Sequence, residues 1–160
     1  MNTQVSMARG TVQTPLGPVG LTWSDGTLCE VDLEPGSGFV GEVDPPTSLA
    51  NALAAYFADP ASPCTVPIHL AGTPFQQRVW AALRAIPLGQ TRTYGDLAAE
   101  LETSARAVGG ACRANPCPIV VPCHRVVGAA GLGGFAGDTS GHRLEVKRWL
   151  LRHEGAEIPA

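Results

Sequence analysis

The sequence predicts an α+β protein. A small β-rich N-terminal domain, an antiparallel sheet plus a helix, is expected over residues 1–72, and a mainly helical C-terminal domain over 73–160. Three observations predict this. The first third carries short β-prone runs separated by turn residues. From Thr73 onward the apolar residues fall at helical spacing between capping and stop residues. Charge divides at the same place: residues 1–73 hold one basic residue against seven acids, a net of −6, and residues 74–160 hold ten against seven, a net of +3. An acidic half joined to a basic half is the asymmetry expected where one part faces a polyanion.

Composition excludes several classes. At 44% hydrophobic and 16% charged, the 160-residue chain can bury a core and is not a disordered one. No apolar run approaches the roughly 18 residues of a membrane span. The opening MNTQVSMARG lacks the layout of a secretory signal, so a soluble, cytoplasmic protein is expected. Five cysteines, an odd number, point to free thiols rather than a disulfide framework. Cys112 and Cys117, like Cys64 and His69, are five apart, which does not match the close CxxC pairing of structural zinc sites.

Taken in order, RGTVQTP, GPVGLTW and TLCEVDLE read as strands, with Ser24-Asp25-Gly26-Thr27 as the hairpin turn between the last two. Residues 34–47 form a Gly/Pro/acid loop, after which Thr47 or Ser48 is placed to cap a helix whose Leu49, Leu53, Tyr56 and Phe57 share a face. Nothing in this part carries a chemical constellation, and it reads as a scaffold. Thr73 at an N-cap and Pro74 at N1 then start a helix through Phe75, Val79, Trp80, Leu83 and Ile86, stopped by Pro87 and Gly89. Residues 93–101 and 104–115 read as two short helices around a tight turn. The second interleaves Ala105, Ala107, Gly109, Gly110 and Ala111 with Arg106 and Arg113, a helix-turn-helix pattern that a plain helical hairpin would also satisfy. Pro116 ends it, and CPIVVP (117–122) is expected to run extended into Cys123. A glycine-rich loop (128–141) and a helix over 142–155, closed by Gly155, complete the chain.

The chemistry concentrates at PCHRVV, residues 122–127. A reactive cysteine needs its thiolate supported by a base or a positive field. His124 adjoins Cys123, and Glu154 at the end of the last helix is placed to hold the imidazole from its other side. Adjacent residues in an extended segment point to opposite sides, so His124 would reach Cys123 only through a water. On these residues alone, a buried structural thiol with a capping histidine is the plainer reading.

The wider pattern changes that reading. RANPCPIVVPCHRVVG, with ARAVGG before it and KRWLLRHEG after it, and FQQRVWAALRAIPLGQTRTYGDLAAEL together resemble the O6-alkylguanine-DNA alkyltransferase family, the methylated-DNA–protein-cysteine methyltransferases. The resemblance covers nearly all of 73–155, whereas the first 72 residues match in general layout, notably at TPLGPVGL. It implies a DNA repair enzyme that flips out O6-alkylguanine, and O4-alkylthymine too, and transfers the alkyl group irreversibly to Cys123. His124 would be the water-linked base, Glu154 its orienting partner, and Asn115 a hinge between recognition helix and active-site segment. Arg106 would be the finger entering the base stack. Tyr94 would crowd the flipped nucleotide's phosphate and assist protonation of the leaving guanine. Gly95 and Arg113 would lie on the DNA face. Val126, Phe135 and Ala136 would line the substrate pocket, with the Ala136 N–H donating to guanine O6. Phe135 stands where a tyrosine is common, and Cys112 is expected as a small buried spacer. The resemblance further implies double-stranded DNA bound through the minor groove, a monomer, and no cofactor or metal. A recognition-only protein, a helix-turn-helix regulator and a cysteine hydrolase are the competing readings.

Overall fold

The computed structural model describes residues 7–35, 43–62, 66–129, 131–133 and 142–158, and the chain divides into two compact units, Met1–Ala71 and Gly72–Ala160. Among the described residues no helix is long and apolar enough to cross a membrane.

In the first unit β1 (Ala8–Thr14), β2 (Gly17–Ser24) and β3 (Thr27–Asp32) form an antiparallel sheet in that order, with Val12 opposite Val19 and Leu21 opposite Val31. Asp25 (φ 50°) and Gly26 (φ 74°) both lie in the left-handed region, as a two-residue type I′ hairpin turn requires. The helix α1 (Thr47–Ala58) contributes Leu49, Leu53 and Tyr56 to a core with Val19, Leu21, Trp23, Leu28 and Val31. The expected cap by Thr47 or Ser48 is not made. Pro46 is the N-cap, with no side-chain cap bond, and its carbonyl accepts from the N–H groups of Leu49 and Ala50. The proline's restricted φ sets the helix going one residue earlier.

The second unit begins with α2 (Pro74–Arg84), where Thr73 Oγ1 accepts from Gln76 N and Gln76 Oε1 accepts from Thr73 N, a reciprocal capping box. The same device opens α3 (Tyr94–Glu100) through Thr93 and Asp96, and Ser104 caps α4 (Ala105–Arg113). Thus α3, a turn with Glu102 at φ 56°, and α4 form the expected helix-turn-helix. Trp80, fully buried, donates from Nε1 to Ala111 O at 2.9 Å and so fastens α2 to α4. Val79, Leu83, Leu97, Val108, Val121, Val126 and Leu150 are fully buried in the same unit.

A two-residue parallel ladder, invisible to the sequence reading, pairs β4 (Arg92–Thr93) with β5 (Val126–Val127). It lays the start of α3 beside the segment that follows Cys123, across more than thirty residues of chain. The last helix, α5 (His142–His153), ends in a Schellman closure: Gly155 takes φ 74°, Ala156 N donates to Leu151 O and Gly155 N to Arg152 O.

Candidate active site

The expected extended run into Cys123 is absent. Val121 N donates to Cys117 O at 2.9 Å, closing a tight turn that holds Ile119 at φ 78°. A left-handed β-branched residue is a strained one, of order 1–3 kcal/mol. Asn115, immediately after α4, holds the turn from both sides: its Oδ1 accepts from Cys117 N at 2.9 Å and its Nδ2 donates to Val121 O at 2.8 Å. Val121 O also accepts from Cys123 N at 2.8 Å, so one side chain ties α4 to the residue that carries the thiol.

Cys123, His124 and Arg125 then form a single 3-10 turn. Successive side chains in such a turn are rotated by about 120°, so the three diverge without facing opposite ways. His124 and Arg125 both reach Glu154, which the Schellman closure fixes at the end of α5. His124 Nε2 lies 2.9 Å from Glu154 Oε2, Arg125 Nε donates to Oε1 at 2.8 Å, and a terminal guanidinium nitrogen donates to Oε2 at 3.1 Å. The side chains of His124 and Glu154 are fully buried. A buried carboxylate accepts, so Nε2 carries the proton and Nδ1 is left with a lone pair. Nδ1 is buried and has no hydrogen-bond partner among the described residues.

Burial dominates the proton affinities. It pushes the Cys123 thiol up, against the Asn115 side-chain amide and the Lys147 ammonium, which pull it down. It pushes His124 down, outweighing the Glu154 contacts that raise it. The resting pair is therefore a neutral thiol and a neutral imidazole, with nucleophile and base both uncommitted.

Lys147 was read from the sequence only as part of the last helix. It is fully buried, donates from Nζ to Val126 O at 2.8 Å, and stands 5.9 Å from the centre of the Tyr94 ring. Burial lowers its ammonium to about 8, while the thiols of Cys123 and Cys112 draw it back up. Tyr94 is driven up by burial first and the neighbouring thiols next, so its hydroxyl keeps its proton and remains a donor. Cys112, the expected spacer, is buried in the same cluster, its thiol pushed up to about 12, again by burial first.

A buried thiol, a histidine held by a carboxylate, and a lysine beneath them occupy a domain whose residues 74–156 match the family described as the 6-O-methylguanine DNA methyltransferase DNA-binding domain. The chain belongs to this family. It is similar to the methylated-DNA–protein-cysteine methyltransferase of Salmonella typhimurium, 53% identical over 69% of this chain and 64% of that protein. The Mycobacterium tuberculosis protein of the same name is 39% identical over 94% of this chain and 93% of its own. The crystal structure of the M. tuberculosis O6-methylguanine methyltransferase superposes with a TM-score of 0.80 at 34% identity, covering 97% of this chain and 96% of that one. That of M. tuberculosis OGT in complex with DNA gives 0.77 at 39%, covering 96% of each.

The remaining expected residues of this family member fall in three places. Arg106 and Arg113 are exposed on α4, and Gly95 is exposed at the start of α3. Val126 is fully buried on β5, its carbonyl occupied by Lys147. Phe135 and Ala136 lie outside the described residues. Sequence reasoning missed Arg125 and Lys147. The signal for the second was present: Lys147 lies three residues after Leu144 and four before Leu151, on the apolar face of the helix, where a lysine is rare.

Replacing Lys147 by methionine separates function from stability. The buried ammonium supports a thiolate and is itself costly to desolvate. Lys147→Met should slow alkylation of Cys123 at pH 7, because the ammonium is among the groups that pull the thiol's proton affinity down. Its urea midpoint should stay close to wild type. Single-turnover kinetics and a urea titration of the same sample measure the two effects.

Proposed function

We propose that this protein repairs alkylated DNA by taking the alkyl group of O6-alkylguanine onto Cys123, once per molecule. The observation that carries the reading is the His124–Glu154 pair, which leaves Nδ1 as a basic lone pair one residue from a buried thiol. Through a bridging water, Nδ1 accepts the thiol proton as sulfur attacks the alkyl carbon in line. The carbon–O6 bond breaks, its electron pair stays with guanine, and Tyr94 supports protonation of the departing base. The thioether is not hydrolysed, so the protein is consumed; no cofactor enters.

A base within the duplex cannot present its alkyl group to a buried sulfur, so the nucleotide must be extruded, at a cost of a few kcal/mol. The exposed face of α4 suits that task. Gly109 and Gly110 stand in mid-helix, where each costs about 1 kcal/mol relative to alanine, yet a Cβ at either would meet nothing within 4 Å in the protein itself. Their bareness favours close approach by an external body. Arg106 and Arg113, two turns apart on that face, supply the inserted side chain and a phosphate contact. Binding is through the minor groove, as wedge-inserting, duplex-opening proteins commonly do, and a monomer suits an unpaired lesion. Asn115 is the hinge between α4 and the acceptor, Gly95 lets α3 approach the backbone, and Val126 borders the pocket. Mispaired O4-alkylthymine is a second substrate.

The test mixes the protein with an equal amount of duplex oligonucleotide carrying one O6-methylguanine and weighs the intact chain. One added methyl group, mapped to Cys123 and missing in Cys123→Ala, is the expected result. Lesion-dependent binding without mass gain would make it a recognition protein. The absence of both mass gain and lesion-dependent binding would overturn the reading.

A further inference from the structure

Arg125 is the third residue of the 3-10 turn and the one with no part in the reaction described above. We infer that it is a positioning residue of alkyl transfer: its guanidinium fork fixes the plane of the Glu154 carboxylate against His124 and offsets its charge, so that His124 rests as a free base. The inference builds on the proposed transfer to Cys123.

The geometry is that of a clamp. The two oxygens of Glu154 receive three N–H groups, two from Arg125 at 2.8 and 3.1 Å and one from His124 at 2.9 Å. The remaining terminal nitrogen of Arg125 donates to Ile86 O at 2.7 Å, just beyond α2. The guanidinium, with its side chain 13% exposed, thereby joins the 3-10 turn, α5 and the end of α2 through one rigid fork.

Electrostatics explains why such a clamp is needed. Glu154 is buried and lies at the C-terminal end of α5, where the helix itself presents partial negative charge. A carboxylate there, facing only a histidine, would be satisfied by an imidazolium, and a protonated His124 can take no proton from Cys123. The groups acting on His124 divide accordingly. Glu154, from α5, raises its proton affinity; Arg125 from its own turn and Lys147 from α5 lower it, after burial as the largest cause. Arg125 alone among them touches the carboxylate. It therefore lets Glu154 orient the ring and stabilise imidazolium during transfer without fixing the proton there beforehand.

The test is the pH profile of single-turnover methyl transfer from the O6-methylguanine duplex, for wild type, Arg125→Gln and Arg125→Lys. Glutamine keeps one donor and loses the charge; lysine keeps the charge and loses the fork. In Arg125→Gln the acidic limb should move up by about one pH unit, so that transfer at the foot of the limb is about tenfold slower and recovers at higher pH. Arg125→Lys should return the limb towards wild type with a lower plateau. Profiles identical in shape, differing only by the folded fraction, would sink the inference. If Arg125→Gln does not fold, Arg125→Lys decides: a lowered plateau supports the fork, and a profile equal to wild type rejects it. Nitrogen NMR titration of His124 in the DNA-free proteins reads the same displacement without any reaction. A wild type that takes no methyl group while the His124 titration still moves would sink the proposed function and leave the clamp standing.

Discussion

Glu154→Ala should slow methyl transfer to Cys123 by about 10²-fold or more, within the range lost when a positioned general base is disabled. The same change should lower the unfolding free energy by about 3–5 kcal/mol, the usual cost of removing one partner of a buried ion pair. Both follow from one geometry. Among the described residues Glu154 is the hydrogen-bond partner of His124 Nε2, and it anchors two Arg125 N–H groups. Truncation orphans a largely buried cation and frees the imidazole to rotate, so Nδ1 is no longer held as the lone pair. Single-turnover quench measurements give the first quantity and urea unfolding the second. Glu154→Gln, which can still accept from His124, should recover part of the orientation and little of the charge. A Glu154→Ala protein that transfers at the wild-type rate would remove His124 from the mechanism.

The pH dependence of stability carries the same signature. His124 has its proton affinity lowered in the folded state, chiefly by burial, relative to an ordinary value of 6.5. Below that value the unfolded chain binds a proton that the folded chain resists, so this residue's contribution is present above about pH 6.5 and lost as the pH falls through its lowered folded value. The lowered value also keeps the base free in mildly acidic solution, so transfer should persist at pH values where an exposed histidine would already be charged.

How far the chain could be read without its structure depended on the range of the interactions involved. The cap of Thr73, the turn at Asp25-Gly26 and the closure at Gly155 are decided by residues within a few positions of one another, and these local signals were legible; the equally local cap expected at Thr47 or Ser48 is displaced by Pro46. The α3–turn–α4 pair was legible for the same reason. The acceptor segment was not. Its turn at Ile119 has no propensity in its favour: a β-branched residue at φ 78° exists only because Asn115, bound to the chain on either side of it, holds it there. The parallel pairing of Arg92–Thr93 with Val126–Val127 is two residues long and leaves no periodicity to detect. Arg125 stood in full view within PCHRVV, but its partner is 29 positions away, and a basic residue gives no local sign that it is clamped.

Asn115 is where that non-local dependence can be tested most directly. Asn115→Ala should destabilise the protein by about 2–4 kcal/mol: the Cys117 N–H is left buried without its acceptor, and the strained turn through Ile119 loses its restraint. Transfer should slow as well, because the same side-chain amide holds the proton affinity of the Cys123 thiol down against burial. Asn115→Asp distinguishes the two roles. An aspartate keeps the acceptor for Cys117 N, so the turn should be restored in part and stability should fall between wild type and alanine. It loses the donor to Val121 O and puts a carboxylate in place of the amide that favours the thiolate, which disfavours a negative sulfur further. The expected order is therefore wild type, aspartate, alanine for stability measured in urea, but wild type, alanine, aspartate for the transfer rate at pH 7. Identical orders in the two measurements would mean that Asn115 acts on Cys123 only by holding the backbone. The crossed order requires that it act on the sulfur itself.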